Sequence, residues 1–440
     1  MTVKINQTRR NVIRGALLGA GAVGLRSLVT GLPRSFFETG GVAHAAGPEE
    51  ANFLIVSNSQ QGDPLNANVP GTYITGVDHS SSDLLAETAT TFGDTSTTAA
   101  KPWADLSADL RARMAFIHHR TYTNAHPEMS KVLAGHGSVT SFESNIGEQF
   151  PSILSQYLSG VLNTIQGEPA TIGDTPLTFG GSPLDLIKPT ELQGLFNEPE
   201  DLQGTLRAMR DAQLDKIYGE LKTSGTAAQR RFLDRYALGR EQARQIGAEL
   251  GELLVSVPVD ADDINGGRDQ VIAAVALLRM NITPVVSVNI PFGRDNHADG
   301  GLVVETAETV SGAAAIQLLW DELVAAGLQE RTTFATINVF GRTLKIGPSG
   351  GRDHHGDHHA MCLFGPCVRG GIAGGIEDTG RDFAATAIDS VSGASVSDGD
   401  IVPEESLESA YRTLGVAVGA DRDALDSVIS GGKVIESVIV

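Results

Sequence analysis

Short apolar, β-branched runs that stop at polar turns restrict this chain more than any other feature. Residues 51–56, 115–119, 283–289, 332–339 and 360–364 each read as a buried strand. Helical spacing occupies residues 106–114, 147–162, 271–280, 306–326 and 403–414 between and after them. Such alternation predicts an α/β domain built on a mostly parallel sheet. Ligands in that architecture sit beyond the carboxyl ends of strands, so the turns after the strands are where chemistry belongs. Residues 71–103, rich in Thr, Ser and Gly, are expected to be a surface excursion with little regular structure. Residues 199–255 carry two charged helical segments, 200–221 and 227–254. An apolar stripe through Leu202, Leu206, Met209, Leu214, Ile217 and Leu221 predicts an inserted helical pair packed on the domain.

The turns hold an unusual amount of imidazole. Four of the 11 histidines fall between His354 and His359, interleaved with Asp353 and Asp357 and enclosed by glycine-rich turns between two strands. Mixed imidazole and carboxylate donors suit zinc, manganese or iron, whereas magnesium and calcium take mostly oxygen. A solvated polar loop is the alternative reading of the same tract. Asp295-Asn296-His297 follows the strand at 283–289, and two side chains at that spacing face the same way in extended chain. His118, His119 and His126 lie at the end of the strand at 115–119 and in its loop.

Residues 1–45 read as a leader. Arg9-Arg10 opens a twin-arginine pattern, a mildly apolar stretch follows at 15–25, and Ala43-His44-Ala45 is an A-x-A cleavage site. The apolar stretch is too short for a stable membrane anchor. Export by the twin-arginine translocase to the periplasm or beyond is therefore expected, leaving residues 46–440 as the α/β domain. Removing the leader takes away six basic residues and one acid, moving the net charge from −20 to −25. So acidic a surface excludes nucleic acid as a partner. An anionic substrate stays compatible, because a metal and a few arginines reverse the field inside one cleft. Cys362 and Cys367 stand at C-x4-C spacing, which fits a disulfide or two buried thiols equally and matches no redox or zinc-ribbon motif.

Taken together, Asp295-Asn296-His297, Phe340-Gly341-Arg342-Thr343 and Gly351-Arg352-Asp353-His354, in this order behind a twin-arginine leader, resemble the exported bacterial family called domain of unknown function 1501. That family is grouped with the alkaline phosphatase and sulfatase superfamily. The resemblance also takes in Gly62-Asp63-Pro64-Leu65-Asn66, the region around Arg120 to His126, and Asp321 with its helix. It implies a doubly wound, alkaline phosphatase-like sheet with one or two divalent metals at the strand ends, zinc or manganese first and calcium or magnesium next. The implied metal ligands are Asp295 and His297, then Asp353 and His354, with Asp63 from the first strand. Implied catalytic groups are His126 as proton shuttle, Arg352 or Arg120 as anion clamp, and Thr121, Ser57 or Ser59 as nucleophile. The substrate would be an anionic small-molecule or polysaccharide ester.

Two departures shape the expectation. Valine at 339 stands where the family places an acid, and no Cys/Ser-x-Pro-x-Arg nucleophile motif of sulfatases occurs. A missing carboxylate leaves less negative charge to balance a second dication, so one well-occupied metal site is expected. The function expected is an exported metal-dependent hydrolase of phosphate or sulfate esters. The alternative is a non-catalytic exported binding or structural protein on a degenerate phosphatase-like fold.

Overall fold

A computed structural model describes residues 51–135, 148–173, 175–189, 202–227, 229–230, 233–234 and 266–440. The leader at 1–45 and most of the second predicted helix of the insertion lie outside the described residues. Seven strands form one sheet: β1 (Phe53–Ser59), β2 (Met114–His119), β3 (Ala170–Thr171), β4 (Val285–Val288), β5 (Thr332–Asn338), β6 (His359–Phe364) and β7 (Gly371–Ala373). Their order across the sheet is β7-β2-β6-β5-β1-β4-β3. β1 runs parallel to β4 and β5, β3 to β4, and β7 to β2. β6 is reversed, antiparallel to both β2 and β5. The fold is thus mixed α/β on a mostly parallel sheet. Every residue of β1, β2, β4, β5 and β6 is buried, which is why their sequences are near-continuous rather than alternating apolar runs.

Five main helices are α1 (Phe150–Leu162), α2 (Leu202–Ser224), α3 (Gly267–Arg279), α4 (Val303–Ala325) and α5 (Ser406–Ala417). One contiguous apolar core runs from Ala51 to Val438 through α1, α3, α4 and α5 and the strands between. Phe150 of α1 stacks on Tyr411 of α5 with ring centroids 5.1 Å apart, and the Tyr411 hydroxyl donates to the Val132 carbonyl at 2.7 Å. Trp320 of α4 meets the edge of Phe364 on β6. The segment Gly300–Ala325 is long and apolar enough to cross a membrane by composition, but half of that window is buried inside the protein, as in a core helix.

Residues 71–103 are more ordered than their composition suggests. Glu87–Phe92 and Thr95–Ala100 pair as an antiparallel hairpin, followed by the short helix Lys101–Ala104. Phe92, Ala99, Ala100 and Trp103 are fully buried, and Trp103 packs between Phe116 and Phe292. Threonine alternating around a Gly93-Asp94 turn is a strand pattern, and one apolar residue per turn anchors it. In the insertion, α2 matches the first predicted helix. Met209, placed in its apolar stripe, is 66% exposed, and the insertion's described packing is a small cluster of Tyr218 and Leu233 against Ile165 and Leu221. Val339 lies fully buried in the main core, packed among apolar neighbours.

Candidate metal centre

Because β6 is reversed, its first residue lies at the same end of the sheet as the last residues of β1, β2, β4 and β5. The loops carrying Gln60, His126, Asp295 and His354 therefore meet at one pole. Two glycines make the meeting close. Gly351 stands so near the 296–297 backbone that a Cβ there would lie 1.9 Å from the Asn296 carbonyl oxygen. Gly62, at φ +64°, leaves room for the Phe340 ring, which a Cβ would meet at 2.0 Å. Arg294 and Tyr122 hold positive φ without being glycine, at 49° and 57°, in the loops that carry Asp295 and Asn124. Such backbone strain collects where surrounding structure fixes a functional geometry.

His126, Asp295 and His354 each aim one donor atom at a common point, all within 4.8 Å of one another. The ring tautomers follow from the partners. His126 Nδ1 lies 2.6 Å from the Gln60 carbonyl and His354 Nδ1 lies 2.6 Å from the Asn124 carbonyl. A carbonyl only accepts, so each Nδ1 carries a proton and the neutral form of each ring presents its lone pair at Nε2. His126 Nε2 is 3.4 Å from Asp295 Oδ2, and His354 Nε2 is 3.9 Å from Asp295 Oδ1. Bonds of about 2.0–2.2 Å to a tetrahedral metal place neighbouring donors about 3.3–3.6 Å apart, so seating an ion draws the group, now spread within 4.8 Å, closer together. His354 Nε2 is buried with no hydrogen-bond partner, an orphaned acceptor of the kind an ion satisfies. The Phe340 ring lies against both imidazoles, with centroids 4.4 Å from His354 and 5.1 Å from His126. Solvent still reaches the group, since the Asp295 side chain is 39% exposed.

Charge supports the same state. Burial pushes Asp295 up, but Arg342 outweighs it, with help from His297 and His126, and the carboxyl sits below its ordinary range. Burial lowers His354, Asn124 opposes this, and the Arg342 charge with the other imidazoles lowers it further. A charged Asp295 carboxylate and a neutral His354 ring, which these shifts favour, are the states in which those two groups bind a metal ion.

The predicted ligands separate into two groups here. Asp295, His297, Asp353 and His354 do come together: His297 Nδ1 is 3.2 Å from Asp353 Oδ1, and the His297 and His354 rings are 4.5 Å apart. Asp353, however, faces His297 and lies outside the converging donor group. Asp63 is likewise outside it. Its Oδ1 accepts the backbone N–H groups of Arg294 at 2.7 Å and Phe292 at 3.3 Å, so it anchors the loop that presents Asp295. Burial raises the Asp63 carboxyl, against hydrogen bonds from Ser59, Phe292 and Arg294.

Arg352 does not reach the site, and the clamp expected of it is corrected. Its guanidinium is fully buried, pairing with Glu305 at 2.7 and 3.1 Å and donating to the carbonyls of Thr343, Leu344 and Asp78. With every donor engaged, none is left for an anion. The nucleophile candidates fare no better. Thr121 is fully buried, and Ser57 and Ser59 accept backbone N–H groups from Ile290 and Gln61 inside the turn. Cys362 and Cys367 are both free thiols, and burial pushes the Cys362 thiol up.

Sequence reasoning passed over Arg342 as a site residue and gave His126 a proton-transfer role rather than a donor's. Arg342 pairs across a two-residue antiparallel ribbon with His354, and its Nη2 donates to Asp295 Oδ1 at 2.8 Å. Gly341–Arg342 is the short strand that brings it there, too brief to be read from the sequence.

Residues 261–392 match the family described as "Protein of unknown function (DUF1501)". This segment contains Asp295, His297, Arg342, Asp353 and His354, while His126 lies before it. No curated protein matches the chain. Among solved structures, "Crystal structure of Ps i-CgsB in complex with k-i-k-neocarrahexaose" is similar at 12% identity, over 87% of this chain and 75% of that one, with a TM-score of 0.35.

Proposed function

We propose that this chain is an exported metal-dependent hydrolase of phosphate or sulfate esters with a single divalent ion, zinc or manganese, on a doubly wound phosphatase-like fold. The observation that carries the reading is the convergence of two Nε2 atoms, from His126 and His354, on the carboxylate of Asp295. When bound, the ion supplies a Lewis acid that polarises an ester and favours water as the nucleophile. The backbone carbonyls of Gln60 and Asn124 orient the two rings, and Phe340 shields one side of them. With Asp295, Asp353 and Asp63 as anions and Arg342 as a cation, a dication cancels the negative charge of the pole. That favours an anionic small-molecule or polysaccharide ester despite the acidic surface. The Arg9-Arg10 leader and the Ala43-His44-Ala45 site support delivery by the twin-arginine translocase to the periplasm or outside.

The test is metal analysis of the mature protein, with chromogenic phosphate-ester and sulfate-ester assays with and without chelator. One tightly held equivalent is expected, lost in Asp295→Ala, with chelator-sensitive turnover. Two tightly held equivalents, or none, overturn the single-ion centre. The burial of Thr121 and the engagement of Arg352 favour a second reading, a non-catalytic binding protein. It predicts the same equivalent of metal and no turnover of either ester.

A further inference from the structure

Among the described residues, Arg342 is the one fully buried cation that touches the candidate donors. Its Nη2 donates to Asp295 Oδ1 at 2.8 Å and to the Gln61 carbonyl at 2.5 Å. Nη1 lies 3.4 Å from both His297 Nε2 and the Arg352 carbonyl, and Nε donates to the Gly62 carbonyl. Each N–H of the guanidinium is spent, so the group is fixed in place. His297 faces it with a lone pair, because the His297 Nδ1 proton is directed to Asp353 at 3.2 Å.

We infer that Arg342 is a positioning residue that keeps the metal centre open. It does so by fixing the Asp295 carboxylate and holding His297 Nε2 out of the coordination sphere. The inference rests on the metal reading above and adds a coordination number to it. His297 Nε2 already stands 3.3 Å from Asp295 Oδ1, close to the 3.4 Å that His126 Nε2 keeps from Oδ2, so losing Arg342 would free His297 to join the donors. Three imidazoles and a carboxylate would then close a tetrahedron, the four-donor arrangement of structural zinc. With Arg342 present, an ion at His297 would displace a charge-assisted hydrogen bond and sit beside a buried guanidinium, both unfavourable. The ion is left with His126, His354 and Asp295. Three protein donors and free positions are what a centre needs if an exogenous oxyanion is to bind.

Cobalt(II) titrated into the metal-free mature protein tests this through its visible spectrum, which separates four-coordinate from higher-coordinate ions. Wild type is expected to bind one equivalent with a spectrum that shifts on adding inorganic phosphate. Arg342→Met is expected to give a different, four-coordinate spectrum insensitive to phosphate, with affinity raised about tenfold, the scale on which groups behind a ligand act. Adding His297→Ala to that variant should restore the phosphate-sensitive spectrum, which assigns the gained donor to His297. His297→Ala alone should keep the wild-type spectrum, with affinity within about twofold on that scale. An unchanged spectrum in Arg342→Met, or loss of cobalt in His297→Ala, overturns the inference. If Arg342→Met does not fold, as circular dichroism would show, His297→Ala decides alone. Failure of wild type to bind cobalt overturns the metal reading itself, a distinguishable result.

Discussion

Replacing Glu305 by alanine should destabilise the fold more than any other single change at this pole. Glu305 is fully buried on the first turn of α4 and accepts four hydrogen bonds. Asn68 and Arg352 donate to Oε1 at 2.8 and 3.1 Å, and Arg352 and Asn296 donate to Oε2 at 2.7 and 3.0 Å. Alanine leaves the Arg352 guanidinium buried without its counter-charge, which costs about 3–5 kcal/mol. The amides of Asn68 and Asn296 lose acceptors as well, at about 1–3 kcal/mol for each group left unsatisfied. These terms share atoms and do not add, so a loss of about 4–6 kcal/mol is expected. Urea unfolding followed by circular dichroism measures it as a lower midpoint. The same loop carries Asp295 and His297, and Arg352 N–H donates to the Asn296 carbonyl at 3.1 Å. Metal affinity should therefore fall about 10–100-fold in Glu305→Ala. Removing both charges, with Glu305→Leu and Arg352→Met together, should recover most of the stability, because a packed apolar pair avoids the uncompensated charge. A loss below about 1 kcal/mol in Glu305→Ala would refute the buried-pair argument, since that is the scale of an exposed ion pair.

Two further predictions concern acidity and export. His118 and His119 are buried and lowered to about 4, chiefly by desolvation, while an unfolded chain titrates its histidines near 6.5. Between those values the unfolded state binds the extra protons, so stability is full above about pH 6.5 and falls as pH drops, by up to about 1.4 kcal/mol per unit for each ring. A urea midpoint that stays constant from pH 7 to 5 would contradict this, and His118→Gln should shed one proton's worth of the slope. For export, Arg9→Lys with Arg10→Lys is expected to leave the precursor in the cytoplasm. Undiminished appearance of the mature protein across the membrane would show that the leader is read by another route.

The architecture was legible because five strands are buried on both faces, and continuous apolar runs cannot be mistaken for alternating ones. Asp295 and His354 were legible as candidates because both fall in turns after or before such strands. Arg352 misled for a physical reason. Sequence shows an arginine beside Asp353 and His354 but not which side of the chain it leaves from, and the folded loop turns it inward to Glu305. His126 was visible as a histidine yet its partner was not, because the Gln60 carbonyl belongs to the backbone. The hairpin at 87–100 was hidden by composition, since threonine is common in both loops and strands.

The two imidazoles of the centre are oriented by main-chain oxygens at positions 60 and 124, not by side chains. Any residue supplies a carbonyl, so the identity of Gln60 or Asn124 is free to drift without turning either ring. Loop length is not free in the same way. Deleting one residue between Ser59 and Gly62, or between His119 and His126, would carry the carbonyl away from its ring while leaving every donor in place in an alignment. Relatives that keep all three donors but differ by a single-residue gap in either loop would therefore be poor guides to this site, and relatives with unlike residues but equal spacing would be good ones.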